Sequence, residues 1–125
     1  MIYAPQTTLA GMIEKNTGEE PFAVPPFILE AAQKMQGTPA APERIPVDFL
    51  ADADTTGGNS GSPVVNARGE IVGINFDRPW ENVANDFGYN PDVARNISVD
   101  IRFLRWLLED VQKADGLLKE LGLRR

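Results

Sequence analysis

The 125-residue chain contains neither cysteine nor histidine. Without thiols there is no disulfide staple and no thiolate nucleophile, and without either residue a structural zinc site built on Cys or His is excluded. A Ser-His-Asp apparatus contained wholly within the chain is excluded for the same reason. Basic residues are also scarce: 12 Lys and Arg stand against 18 Asp and Glu, a formal charge of -6. That balance disfavours a sequence-independent phosphate-binding surface, so no nucleic-acid partner is expected. No apolar stretch approaches the roughly 18 residues of a membrane span. Met1-Ile2-Tyr3-Ala4-Pro5 has no basic segment leading into an apolar core. The chain as given is therefore expected to be soluble, with no membrane contact and no export signal of its own, while a longer parent protein would carry any such signal elsewhere. What is present, 42% apolar and 24% charged residues, suffices to bury the core of one domain and is unlike a disordered tail.

Thr7 to Lys15 reads as a short strand, closed by a turn at Asn16-Thr17-Gly18. Pro25-Pro26 then introduces a run of helix formers up to Met35, with Gly37 placed as a C-cap, which predicts a short helix near residues 27–36. Gly37 to Pro42 reads as an exposed connection. Ile45 to Ala51 predicts a strand whose proline suits an edge or a strand start. Val64-Val65 and Glu70 to Phe76, joined by Asn66-Ala67-Arg68-Gly69, predict a hairpin with Gly69 at the positive φ of a bulged turn. Asp77 to Pro91 is a long polar and aromatic loop, in which Trp80, Phe87 and Tyr89 are expected to pack over a core edge. Ile97-Ser98-Val99 predicts a last short strand. After it Ile101, Leu104, Leu108 and Val111 fall at helical spacing as a core or interface face, with Asp100 as a cap candidate. Asp115 to Gly122 predicts a further helical turn or two, ended by Gly122.

Chemistry concentrates in Gly57-Gly58-Asn59-Ser60-Gly61-Ser62-Pro63. A serine flanked by glycines in a tight loop exposes its hydroxyl together with backbone N–H groups. Amides of Gly58 and Ser60 can converge about 3 Å from the oxygen of a tetrahedral intermediate while Ser60 Oγ attacks the carbonyl. On its residues alone the loop is equally consistent with a glycine-rich turn carrying an unengaged serine. It is not a phosphate-binding loop, because no lysine is near and Pro63-Val64-Val65 leads into a strand. Nor is it a nucleophile elbow, because Ser62 stands where that pattern needs glycine. Asp77 and Arg78, read alone, are a solvated loop pair of little energetic weight. Asp48, Asp52 and Asp54 lack the glycine and terminal glutamate of a calcium-binding EF-hand loop, so no metal is expected.

The run GNSGSPVVNARGEIVGINFD resembles the nucleophile region of chymotrypsin-clan serine peptidases. Phe76-Asp77-Arg78-Pro79-Trp80-Glu81, Asp86-Phe87, Arg95 to Arg102 and the C-terminal helix are similar to the end of the bacterial serine dipeptidyl-peptidases, the dipeptidyl-peptidase seven and eleven family. The likeness covers essentially the whole chain and is most specific at Gly57 to Pro63 and Gly73 to Glu81. It implies a mainly β fold with C-terminal helices: about residues 1–96 as part of the second barrel of a chymotrypsin-like double β-barrel, and about 97–125 as a helical segment. It implies that Ser60 is the nucleophile, that Gly58 and Ser60 supply the oxyanion amides, and that Asp77 holds the substrate's α-ammonium. Arg78 matches the position where arginine accompanies preference for Asp or Glu before the scissile bond, as in the dipeptidyl-peptidase eleven branch.

On that resemblance the chain is part of a peptidase several-fold longer, whose triad His and Asp lie in the remainder of the catalytic domain, and it is inactive by itself. The expected substrates are peptides with free N-termini, no cofactor is required, the full-length enzyme is a homodimer, and the location is periplasmic or at the bacterial cell surface. A carboxylate in a partly dry cleft binds an ammonium by a charge-assisted hydrogen bond, and a guanidinium binds a carboxylate bidentately, so Asp77 and Arg78 are chemically suited to these roles. Two rivals remain: half of an endopeptidase of the HtrA type, and a non-catalytic β-domain that binds a partner.

Overall fold

The computed structural model describes residues 4–80, 82 and 87–123. Its elements run in the order β1 (Gln6–Thr8), α1 (Leu9–Glu14), α2 (Pro26–Met35), a 3-10 turn (Pro42–Arg44), β2 (Pro46–Ala51), β3 (Pro63–Val65), β4 (Ile71–Asp77), β5 (Asn96–Asp100), α3 (Ile101–Trp106), a π-helical turn (Leu107–Val111) and α4 (Asp115–Glu120). The strands form a sheet in the spatial order β1-β2-β5-β4-β3. The pairings of β2 with β5, β5 with β4, and β4 with β3 are antiparallel. The expectation of an antiparallel β framework accompanied by a few helices therefore holds.

The described residues fall into two units, one formed by those up to Thr7 with Asp48–Ile101, the other by Thr8–Val47 with those from Arg102 onward. In the second unit the apolar core is Leu9, Ile28, Ala32, Ile45, Phe103, Trp106 and Leu118. Phe103 and Trp106, three residues apart on one helical face, set their ring centroids 5.8 Å apart. Ile101, Leu104, Leu108 and Val111 are only half-buried, so the two aromatic rings, rather than that aliphatic stripe, form the buried face. Two further local expectations are corrected. Thr7 to Lys15 is not a strand throughout: Thr8 Oγ1 accepts from the Gly11 amide at 3.3 Å, capping α1, and only the β-branched pair Thr7-Thr8 stays extended. The helix expected from Ile101 onward changes to π geometry at Leu107.

The first unit places the chemistry. Pro46 starts β2, as its missing N–H requires. The hairpin of β3 and β4 turns at Gly69, with φ +77°, and has a bulge between Val64 and Val65. Asn66 Oδ1 accepts from the Arg68 and Glu70 amides at 2.9 and 3.1 Å. The Arg68 guanidinium and the Asn66 amide, both hydrogen-bonded to Glu70 Oε2, hold that carboxyl below its usual range. Where β2, β5 and β4 lie side by side, Gly73 is required by contact: a Cβ there would stand 2.7 Å from both the Phe49 ring and the Val99 carbonyl oxygen.

Register explains an inversion. In β5 the alternation Asn96-Ile97-Ser98-Val99-Asp100 suggests a wet polar face. In the structure Asn96, Ser98 and Asp100 are buried, while Ile97 and Val99 are half-exposed. Ser98 pairs with Asn75 of β4 and with Phe49 of β2, so the polar side chains line the face shared with Phe49 and Gly73. The loop aromatics also depart from expectation. Trp80 and Phe87 are 84% and 97% exposed, and Tyr89, instead of capping apolar residues, donates its hydroxyl to the Asp52 carbonyl at 2.6 Å. Glu81 and residues 83–86, which belong to that loop, lie outside the described residues.

Candidate active site

The glycine-rich loop between β2 and β3 is wound by its own polar groups. The Asn59 amide donates to the Thr56 carbonyl at 3.2 Å, and Asn59 Oδ1 accepts from the Thr56 amide at 2.8 Å. The Ser62 amide donates to the Asn59 carbonyl at 3.0 Å. Gly58 and Gly61 take φ of +91° and +87°, conformations that L side chains rarely adopt. Added Cβ atoms there would meet nothing within 4 Å, so the demand for glycine is torsional and not a matter of space.

Strand β4 grips this loop on both sides of Ser60. The Gly61 amide donates to the Asn75 carbonyl at 2.7 Å, the Asn75 amide donates to the Ser62 carbonyl at 2.9 Å, and Asn75 Nδ2 donates to the Asn59 carbonyl at 3.1 Å. Ser60, between these anchors, is exposed, and its hydroxyl donates to the Phe76 carbonyl at 3.0 Å. Among the described residues, the amides of Gly58 and Ser60 donate to no protein acceptor. Two amides without an acceptor among the described residues, in a loop with an exposed hydroxyl, are the kind of donors that an oxyanion requires.

Asp77 and Arg78 follow directly at the end of β4. Asp77 is exposed and its Oδ1 accepts from the Arg78 amide at 2.8 Å. Arg78 is half-buried and its Nη1 donates to the Thr55 carbonyl at 3.1 Å. A bulge between Asn75 and Asp77 shifts the register with β5 at this point, which re-aims the side chains at the strand end. A cavity of about 110 Å³ is walled by Ser60, Asn75, Asp77 and Arg78, together with Thr55 and Phe76. Three of the four residues singled out from the sequence, Ser60, Asp77 and Arg78, thus share one wall. Gly58 is not part of that wall and sits in the loop two residues before the serine.

Asn75 and Asn96 were not legible as site residues. Asn75 is 6% exposed, and its Oδ1 accepts from Asn96 Nδ2 at 3.0 Å. Asn96 Nδ2 also donates to Ser98 Oγ at 3.1 Å. The available signal was the pair of asparagines in GINFD and RNISVD, each an amide in a strand of β-branched residues, where propensity alone disfavours it.

The family model for peptidase S46 matches residues 1–123. The chain is 38% identical to an Asp/Glu-specific dipeptidyl-peptidase of Shewanella putrefaciens, a match covering 97% of this chain and 20% of that protein. It is 42% identical to the Asp/Glu-specific dipeptidyl-peptidase of Porphyromonas gingivalis, over 97% of this chain and 17% of the relative. It is likewise 42% identical to dipeptidyl-peptidase 7 of Porphyromonas endodontalis, over 94% and 14%. The crystal structure of Porphyromonas endodontalis DPP11 in complex with the dipeptide Arg-Asp superposes with a TM-score of 0.85 at 38% identity, covering 96% of this chain and 18% of that one. The chain spans no more than a fifth of the length of these curated relatives. With a match along nearly its whole length, it belongs to the peptidase S46 family.

Proposed function

We propose that this chain supplies the nucleophile, the oxyanion amides and the substrate-sorting arginine of a serine dipeptidyl-peptidase that releases N-terminal dipeptides, with preference for Asp or Glu before the scissile bond. The observation that carries the proposal is that Ser60, Asp77 and Arg78 line one cavity. A peptide N-terminus presents an ammonium, an acidic second residue presents a carboxylate, and the attacked carbonyl belongs to that second residue. Asp77, Arg78 and Ser60 answer these three features in turn, and charge-assisted hydrogen bonds set the register of attack. The relatives described as Asp/Glu-specific, and the DPP11 complex with Arg-Asp, support the acidic preference.

In the full-length enzyme a triad histidine, oriented by an aspartate, takes the Ser60 proton while Oγ attacks the carbonyl. The amides of Gly58 and Ser60 receive the oxyanion, the leaving amine takes the proton from the histidine, and the dipeptide remains as an ester on Ser60 until water releases it. The histidine and aspartate come from the rest of a double β-barrel, in which this sheet belongs to the second barrel. We place the enzyme in the periplasm or at the cell surface, as a homodimer, on family resemblance. The experiment is hydrolysis by the full-length protein of Asp- or Glu-containing dipeptide reporters with free and with acetylated amino groups. Release only from the free amine is expected, and equal rates on both would overturn the exopeptidase reading in favour of an endopeptidase.

A further inference from the structure

We infer that Asn75, backed by Asn96 and Ser98, is a positioning residue that fixes the Asn59–Ser60 peptide plane and so aims the Ser60 amide at the oxyanion; the inference rests on the serine-peptidase reading above. A peptide unit is planar and trans, so its C=O and N–H point in opposite directions. Whatever holds the Asn59 oxygen therefore sets the direction of the Ser60 N–H. Two donors hold that oxygen, the Ser62 amide at 3.0 Å and Asn75 Nδ2 at 3.1 Å. The first belongs to the same loop and moves with it, whereas the second comes from strand β4 and ties the plane to the sheet.

The orientation of the Asn75 amide is itself determined from behind. Its Nδ2 faces a carbonyl, so its Oδ1 faces Asn96, which must present an N–H. Asn96 Nδ2 does so while also donating to Ser98 Oγ, and Asn96 and Ser98 are 1% and 0% exposed. Asn96 Oδ1 is buried and has no hydrogen-bond partner among the described residues, and a buried acceptor left unmatched is destabilising. An apolar residue here would leave the buried Asn75 Oδ1 without its donor, so the Asn96 amide is what holds the Asn75 amide in this orientation.

The test uses the full-length peptidase carrying this chain. Asn75→Asp keeps the size and the acceptor but removes the donor, and Asn96→Ala removes the support behind it without touching the cavity wall. For Asn75→Asp, kcat is expected to fall about tenfold to a hundredfold, less than the loss of an entire oxyanion donor, with KM nearly unchanged. Affinity for a dipeptide boronic acid, which forms a tetrahedral adduct on serine, falls by the same factor. For Asn96→Ala the same pattern is expected at about threefold to tenfold. Wild-type kcat and boronate affinity in Asn96→Ala, or a loss in Asn75→Asp that lies wholly in KM, overturns the inference. Should Asn75→Asp lose its thermal unfolding transition, the Asn96→Ala result alone decides. Failure of the underlying reading looks different: Ser60→Ala would then keep the wild-type rate, and a serine-directed phosphonate would leave Ser60 unlabelled.

Discussion

The Ser60 hydroxyl donates to the Phe76 carbonyl at 3.0 Å, which ties the exposed side chain of the loop to the strand residue just before Asp77. This bond is solvent-exposed, so its removal costs the fold little. Ser60→Ala in the full-length enzyme should leave the thermal unfolding midpoint within experimental error while lowering kcat by about four to six orders of magnitude. Phosphonate labelling at residue 60 should vanish with it. A variant that keeps a tenth of the activity would remove Ser60 from the mechanism.

Gly58 separates torsion from space. Its φ of +91° is accessible to glycine, and no atom lies within 4 Å of an added Cβ. Gly58→Ala should therefore cost about 1–3 kcal/mol of backbone strain, or relieve that strain by turning the Gly58 amide away from the serine. In the second case kcat falls by about 10² to 10³ while stability is largely kept. Urea unfolding together with steady-state kinetics on one preparation distinguishes the two, and a variant unchanged in both would show that the loop does not require glycine at this torsion.

How much of this was readable from the sequence varies with the physics of each element. The hairpin and its Gly69 turn were legible, because apolar β-runs and turn chemistry are local signals. Ser60 stood out from the chemistry of its glycine-rich loop, whereas Asp77 and Arg78 were singled out only through their likeness to a family motif, since nothing in the spacing of residues 60 and 77 says that β4 returns alongside the loop. Residues 9–14 were misread as strand because the threonines before them carry the β signal while one of them in fact caps the helix. The burial of Asn96 and Ser98 was illegible in principle from alternation. Period two identifies which residues share a face but not which face is covered, and pairing with Asn75 and Phe49 decides that.

Gly73→Ala tests the close approach of β2, β5 and β4. The added methyl would stand 2.7 Å from the Phe49 ring and 2.7 Å from the Val99 oxygen. The ring can turn aside, but the carbonyl belongs to the sheet backbone, so the strand must shift. A loss of about 1–3 kcal/mol is expected, measured as a lower urea midpoint at constant m-value. Adding Phe49→Leu should recover only part of it, because the backbone contact remains. Full recovery would mean that the ring alone carries the conflict.

Glu70 offers a pH-dependent check on the hairpin that carries both Pro63 and Asp77. Its carboxylate accepts from Arg68 first and Asn66 second, and both interactions lower its pKa below 4.5. A group with a depressed folded pKa adds stability above its unfolded value and loses that contribution as pH falls through the folded one. The pair is exposed, so the effect is small and salt-sensitive. Carboxyl NMR should show Glu70 titrating below 4.5, with the midpoint moving up toward that value in Arg68→Ala. A midpoint unmoved by that substitution would show that the guanidinium is not the cause.

Arg78 carries the specificity prediction. Its guanidinium is half-buried at the cavity wall and anchored by Nη1 to the Thr55 carbonyl at 3.1 Å. In the full-length enzyme an acidic substrate side chain would add a bidentate partner to this guanidinium, whereas an apolar one would bring it none. In the full-length enzyme, Arg78→Gly should lower kcat/KM for Asp and Glu reporters and raise it for Leu or Met reporters. The ratio between the two classes is expected to change by about a hundredfold or more, roughly 3 kcal/mol. Arg78→Lys should retain acidic preference at reduced kcat/KM, because an ammonium keeps the charge but loses the planar fork. A ratio unchanged in Arg78→Gly would place the recognition of acidic side chains on other residues of the full-length enzyme.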